Sequence, residues 1–257
     1  MHSTYKSEKK TMDDLDSGLA FKLTNCCLQY PKHHQFFLSY FFDNNRKNFY
    51  QNSLDKINLK IKKGEKIGII GLNGAGKSTF LRLAAGIFIP TSGQIETSGN
   101  VFSIFSYGTG SDLELSGREN VYRIGLLRGF EKKSIDNQIE KIIEFCDLGE
   151  KFDEPMRTYS TGMKIRIGIS MLILYQPEIL VFDEGMGSGD KKFAQRAKNL
   201  ISDVLHKKQA TILMASHSEK FLSNFVDKGI VLHKGKLQFY GKFDEALEVY
   251  RSIREKN

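Results

Sequence analysis

The run Gly71-Leu72-Asn73-Gly74-Ala75-Gly76-Lys77-Ser78-Thr79 carries the residue types needed to hold a phosphate chain. Glycines let backbone N–H groups turn inward onto an anion, a lysine reaches the β- and γ-phosphates, and a hydroxyl ligates Mg²⁺. Here Gly71, Gly74 and Gly76 are the glycines, Lys77 the cation and Ser78 the metal ligand, with Asn73, Ala75 and Thr79 completing the nucleotide-facing loop. Asp183 ends an apolar run, residues 179–182, and is expected to bind Mg²⁺ through water beside that loop. Glu184 follows at once, where a carboxylate can accept a proton from, or orient, the water that attacks the γ-phosphate. His217, after the apolar run 211–214, is placed to hydrogen-bond the γ-phosphate and Glu184. In Tyr159-Ser160-Thr161-Gly162-Met163, Ser160 is a good N-cap for a helix whose first N–H groups, Gly162 among them, would point at an anion.

These groups need elements to hold them. Residues 66–70 read as a buried strand entering the glycine-rich loop and residues 80–85 as a helix leaving it, so the helix N-terminus adds partial positive charge. Residues 179–182 and 211–214 read as further buried strands. Residues 21–28 and the alternation Leu54, Ile57, Leu59, Ile61 predict two more, joined to the next by Lys63-Gly64. Short strands are expected through Phe105. Ser116-Gly117-Arg118-Glu119 is a capping box that opens a mostly helical block to Leu174, with Ile135, Ile139, Ile142, Ile143 and Cys146 on one face. Phe193, Ala197, Leu200, Ile201, Val204 and Leu205 form another helical stripe. Residues 230–240 predict a hairpin turning at Lys234-Gly235, and a last helix starts at Asp244. The pattern is α/β with a helical insert.

Composition narrows the class. Of 257 residues 40% are hydrophobic, enough for a sizeable core, and the net charge of +8 suits an anionic partner or membrane surface. No dense basic stripe with interleaved aromatics points to nucleic acid. No apolar run approaches the ~20 residues of a membrane span. The polar N-terminus lacks the apolar core of a signal peptide, so the chain is expected in the cytosol unless another protein carries it to a membrane. Three cysteines fit a reducing compartment. Cys26 and Cys27 lie beside His33 and His34, but neighbours on a strand point to opposite faces and do not share a metal easily.

With these motifs in order, the chain resembles the nucleotide-binding subunit of ATP-binding cassette (ABC) transporters from about Leu23 to Tyr250. The resemblance implies a P-loop NTPase core with an antiparallel β edge and a helical subdomain at about 111–175. The domain is expected over 19–250, with a disordered tail at 1–18 and a C-terminal tail at 251–257. It implies Mg²⁺ and ATP as cofactors, Glu184 as the catalytic glutamate and His217 as the switch histidine. Residues 159–163 look like the signature and Asp190 like the aspartate that faces the nucleotide from the loop before its helix. Tyr30 looks like the aromatic that stacks on adenine, although Tyr40 or Tyr50 could fold back instead.

The resemblance further implies a head-to-tail homodimer that sandwiches two ATP molecules and drives an integral membrane permease from the cytoplasmic face of the inner membrane. Leu115-Ser116-Gly117-Arg118-Glu119-Asn120, the signature and Gly189-Asp190 are similar to the subfamily that exports O-antigen, capsular polysaccharide and teichoic acid, so a lipid-linked polysaccharide is the expected cargo. The alternatives are a soluble ABC-type ATPase not coupled to transport and a slow-turnover regulatory cassette.

Several departures stand out. The usual glutamine after the strand that follows the phosphate-loop helix is missing, and Ser106 is the nearest equivalent. Thr161 replaces a common glycine, which implies slower turnover. The glycines of residues 185–189 imply looser coupling between sites. The aromatic segment 36–50 would touch the permease or lipid headgroups, or cover the core edge as strands.

Overall fold

The computed structural model describes residues 18–31, 50–105, 110–183, 190–216 and 218–256. In chain order the elements are β1 (Leu19–Pro31), β2 (Tyr50–Lys62), β3 (Lys66–Ile70), α1 (Lys77–Ala84), β4 (Ser92–Thr97) and β5 (Val101–Phe105). A helical block follows: α2 (Gly117–Leu127), α3 (Lys132–Asp136), α4 (Ile139–Cys146), two 3₁₀ turns (Gly149–Asp153, Met156–Thr158) and α5 (Thr161–Leu174). Then come β6 (Ile179–Asp183), α6 (Lys191–Lys208), β7 (Thr211–Ala215), α7 (Glu219–Leu222), β8 (Lys228–His233), β9 (Lys236–Lys242) and α8 (Phe243–Glu255).

Six strands form one sheet in the order β5-β6-β7-β3-β8-β9, parallel except for the final β8–β9 hairpin. β6 and β7 are buried along their whole length because both faces of the sheet are covered. Strand alternation sorts the side chains into two cores. Leu180, Phe182, Ile212 and Met214 join the helical block and α8 on one face. Ile179, Val181, Leu213 and Ala215 join α1 and the second, antiparallel sheet on the other. That second sheet runs β2-β1-β4. The expected α/β core with an antiparallel edge is therefore present, and the helical block shares its core with Phe102 and Ile104 of β5.

Two local features position the antiparallel sheet. Register slips where β1 passes Cys26, and Asn25 and Lys56 take left-handed φ values of 45° and 50°. The Asn58 amide holds this bulge by donating to Asn25 Oδ1 and to the Lys56 carbonyl. Cys26 is buried and Cys27 half-buried, as opposite faces require. At the turn before β3, Glu65 accepts from Lys228 Nζ at 2.6 Å, from Lys62 N at 3.0 Å and from the Tyr240 hydroxyl. Burial pushes its carboxyl up, but these hydrogen bonds and the Lys228 charge outweigh burial and leave it below the ordinary range.

Two expectations change. The last helix runs to Glu255, past residue 250 where a tail was expected. Ile253 packs against the core and Arg251 pairs with Glu219 at 2.9 Å, so the last turns have partners to hold them. The single apolar face from Ile135 to Cys146 is split between α3 and α4, which nonetheless bury Ile135, Ile139, Ile142 and Cys146 together. Residues 1–17 of the expected tail at 1–18, and all of segment 36–50 except Tyr50, which opens β2, lie outside the described residues.

Candidate functional site

The site lies at the C-terminal edge of the parallel sheet, where three strands end level. Asp183 pairs in register with Ala215, and Ala215 with Ile69. Asp183 is thus two strands from the phosphate loop, about 10 Å away at the usual strand spacing. Asp183 as a whole is 7% exposed.

The loop's path is fixed by contacts that leave no room for a side chain at Gly71 or Gly76. A Cβ on Gly71 would sit 2.4 Å from the Leu232 carbonyl oxygen and 2.9 Å from Ala75 Cβ. Gly76 caps α1 at φ 103°, and a Cβ there would sit 2.7 Å from the Ser53 carbonyl oxygen. The loop is also stitched to the β8–β9 turn, where Gly235 N donates to Ala75 O at 3.0 Å and Asp55 N to Gly235 O at 2.8 Å.

α1 is only eight residues long, too short to be stable alone. It persists because Phe80, Leu81 and Leu83 are buried, each contributing roughly 1.5–3 kcal/mol. Its first turn holds no acidic residue, and no side chain caps it. Lys77 Nζ donates to the carbonyls of Gly71 at 2.8 Å and Leu72 at 3.2 Å, which draws the cation back over the loop. The result is a cavity of about 250 Å³ lined by Ser53 and by Asn73 through Thr79. Such a cradle, with a helix start and a lysine, suits a chain of phosphates.

Ser53 is the site residue that sequence patterns missed. Its hydroxyl donates to Thr79 Oγ1 at 2.7 Å, and the Tyr30 hydroxyl lies 3.4 Å from the same oxygen. The Tyr30 ring meets Phe88 edge-on at 5.7 Å between centroids. No motif marks Ser53; tertiary contacts of β2, with β1 and with the β8–β9 turn, bring it to the loop. Ser53→Ala is expected to weaken ATP binding about fivefold, the value of one hydrogen bond. Tyr30→Phe is expected to stay within twofold of wild type because its 3.4 Å contact is long, whereas Tyr30→Ala should lose about fivefold through the missing ring. Titration with a fluorescent ATP analogue reads all three, and a loss in Tyr30→Phe equal to that in Tyr30→Ala would show that the hydroxyl, not the ring, matters.

The second group of predicted residues lies on the helical block. Ser160 caps α5, accepting from Met163 N at 3.3 Å, and the start of the helix is exposed at Ser160 and Thr161. Tyr159 is buried with its hydroxyl donating to Lys151 O at 2.6 Å, and burial pushes that hydroxyl up to about 12. A Cβ on Gly117 would lie 2.8 Å from the Tyr159 oxygen, so the 115–120 motif and the 159–163 motif are one packed unit. The capping box forms as expected, and the fully buried Asn120 amide binds the carbonyls of Asp112, Leu115 and Ser116. Asp190 caps α6 through Lys192 N and Phe193 N and pairs with Arg166. Glu184, His217, Ser106 and residues 185–189 lie outside the described residues. Among the described residues, no cluster of three His, Cys, Asp or Glu side chains could hold a metal by itself. Ser78 and Asp183 do fit an ion held chiefly by phosphate oxygens and water.

A strand, glycine-rich loop and helix at a parallel sheet edge, with a strand-end aspartate two strands away, define a P-loop nucleotide-binding domain. The family model described as ABC transporter matches residues 54–187. The chain is 38% identical over 199 residues to the O-antigen export system ATP-binding protein RfbB of Klebsiella pneumoniae, covering 77% of this chain and 80% of that protein. It is 37% identical over 209 residues to the teichoic acids export ATP-binding protein TagH of Lactococcus lactis subsp. lactis (strain IL1403), covering 81% of this chain and 44% of the relative. Among solved structures, the dimeric post-hydrolysis ATP-binding cassette MJ0796 bound to ADP and Pi aligns with a TM-score of 0.71 at 19% identity, over 87% of this chain and 98% of that one. The chain belongs to the ABC transporter family, as an ATP-binding and ATP-hydrolysing cassette.

Proposed function

We propose that this cassette powers export of a lipid-linked polysaccharide, of the O-antigen, capsule or teichoic acid kind, across the cytoplasmic membrane. Two copies work head-to-tail on an integral membrane permease, at its cytoplasmic face. The observation that carries the reading is the joint packing of the 115–120 and 159–163 motifs, which form one unit through Gly117 and Tyr159. The names of the relatives RfbB and TagH support the same class of cargo. No helix among the described residues is long and apolar enough to cross a membrane, and in this reading the permease supplies the path across it.

In this reading the phosphates lie in the cavity of Asn73 to Thr79, with Lys77 on the β- and γ-phosphates and Tyr30 against the base. Mg²⁺, held by Ser78 and Asp183, would supply charge neutralisation to the terminal phosphates. Glu184 accepts the proton of the attacking water, and His217 steadies the γ-phosphate and Glu184. Ser160 and Gly162 at the exposed start of α5, together with Asp190, serve the nucleotide bound by the second copy.

The test is isolation of the chain from membranes of its own cell with whatever it binds, followed by reconstitution into vesicles. A permease in the complex and ATP-dependent movement of a lipid-linked glycan are the expected results. A complex that instead moves a metal chelate or an amino acid, or that contains no membrane protein, would overturn the reading.

A further inference from the structure

Arg166, in the second turn of α5, makes more interactions than a helix-surface arginine needs. Its side chain is 14% exposed. Nη1 donates to the carbonyls of Cys146 at 2.9 Å and Asp147 at 3.3 Å, the last of α4. Nη2 donates to Asp190 Oδ2. The guanidinium also lies over the Phe193 ring, 4.7 Å from its centroid. A second guanidinium, Arg196 of α6, donates to the Glu144 carbonyl at 3.3 Å and to Asp147 Oδ2 at 2.9 Å. Two cations therefore meet the negative end of α4, where its carbonyls and dipole favour them. The Asp190 carboxylate is shared: Oδ1 caps the first turn of α6, and Oδ2 belongs to Arg166.

This arrangement sits one short step from the chemistry. Asp183 is fixed at the end of a fully buried strand. Six residues separate it from Asp190, and the first of them is Glu184. Arg166 thus ties Asp190, six residues after Glu184 in the sequence, to α5. The helix doing the holding begins at Ser160, the residue assigned to the second copy's nucleotide.

We propose that Arg166 is a positioning residue for ATP hydrolysis: it locks the start of α6 to α5 and to the end of α4, so that Asp190 and the start of the signature helix are held as one body. The proposal rests on the roles given above to Glu184 and Ser160. Arg166 acts through Asp190 and the helix ends. A misplacement of about 1 Å in a catalytic group can cost a hundredfold in rate, so a loosened anchor affects turnover before it affects binding. Lysine cannot replace this arginine, because one ammonium lacks the planar fork that reaches a carboxylate and two carbonyls together.

The test uses the assembled transporter and compares steady-state ATPase kinetics of Arg166→Met, Arg166→Lys, Asp190→Asn and the double variant Arg166→Met/Asp190→Asn. Asparagine still caps α6, so Asp190→Asn removes the charge pair while keeping the helix start. The expected result is a 10- to 100-fold lower kcat in Arg166→Met with KM within twofold, and only partial recovery in Arg166→Lys. A similar loss in Asp190→Asn, and a double variant no worse than the worse single, complete the pattern. Unchanged kcat in Arg166→Met, a KM that rises as much as kcat falls, or losses that multiply in the double variant would overturn the proposal. If Arg166→Met does not fold, Arg166→Lys and Asp190→Asn with their own double variant decide by the same additivity criterion. A wild-type complex without ATPase activity would count against the functional reading itself.

Discussion

Replacing Lys77 with alanine is expected to lower kcat/KM for ATP by about 100- to 1,000-fold, the usual cost of removing one fixed cationic donor from a developing anion. Lys77 is held over the loop by two carbonyls of that loop, so it is ready to meet phosphate without a search through rotamers. Its loss removes charge from both binding and turnover. Glu184→Gln should behave differently. The amide keeps the size of the side chain and cannot accept a proton, so hydrolysis should fall about 100- to 10,000-fold while ATP binding stays within a fewfold of wild type. Equilibrium binding of Mg·ATP and release of phosphate, measured on the same preparations, separate the two. Were Glu184→Gln to hydrolyse ATP at the wild-type rate, the assignment of the base would fail, with that of Lys77 left standing.

The contrast between these residues and Ser53 shows what kind of information a sequence displays. The phosphate loop was legible because its chemistry requires particular residues at fixed spacing in one continuous run. Asp183 was legible because a buried parallel strand is uninterrupted and apolar, which makes its terminal carboxylate conspicuous. The capping box at Ser116 and the cap at Ser160 were legible because each closes within three residues. Ser53 had no such mark. It reaches Thr79 through the pairing of β1 with β2 across register shifts near Cys26, and nothing local to Ser53 encodes that register. The Arg166–Asp190 pair was hidden for a related reason, since the partners are 24 residues apart and belong to different helices. Asp190 was read from its place in a motif as a nucleotide-facing group, and the structure adds an intramolecular role that the motif does not show. The sequence pattern placed the start of the last helix at Asp244 but gave no end for it; the helix continues to Glu255, where Arg251 and Ile253 find partners.

That dependence on distant backbone leads to the other large effect. Gly76→Ala is expected to lower ATP affinity at least tenfold and to lower the unfolding midpoint by several degrees. Two penalties act together at this residue. Alanine is strained at φ 103°, at about 1–3 kcal/mol, and the added Cβ would stand 2.7 Å from the Ser53 carbonyl oxygen and 3.1 Å from Leu54 Cδ2. The oxygen is backbone and Leu54 is fully buried, so neither can swing aside. Relief requires β2 to move away from the loop, which carries the Ser53 hydroxyl off Thr79 and disturbs the bond from Asp55 N to Gly235 O. The nucleotide site and the antiparallel sheet should therefore fail together. Gly86→Ala is the control: Gly86 also has a positive φ, 70°, but nothing lies within 4 Å of the added carbon. It should show the backbone strain alone, with a modest drop in midpoint and ATP affinity unchanged. If Gly76→Ala bound ATP as Gly86→Ala does, contact with β2 would not be what shapes the phosphate loop.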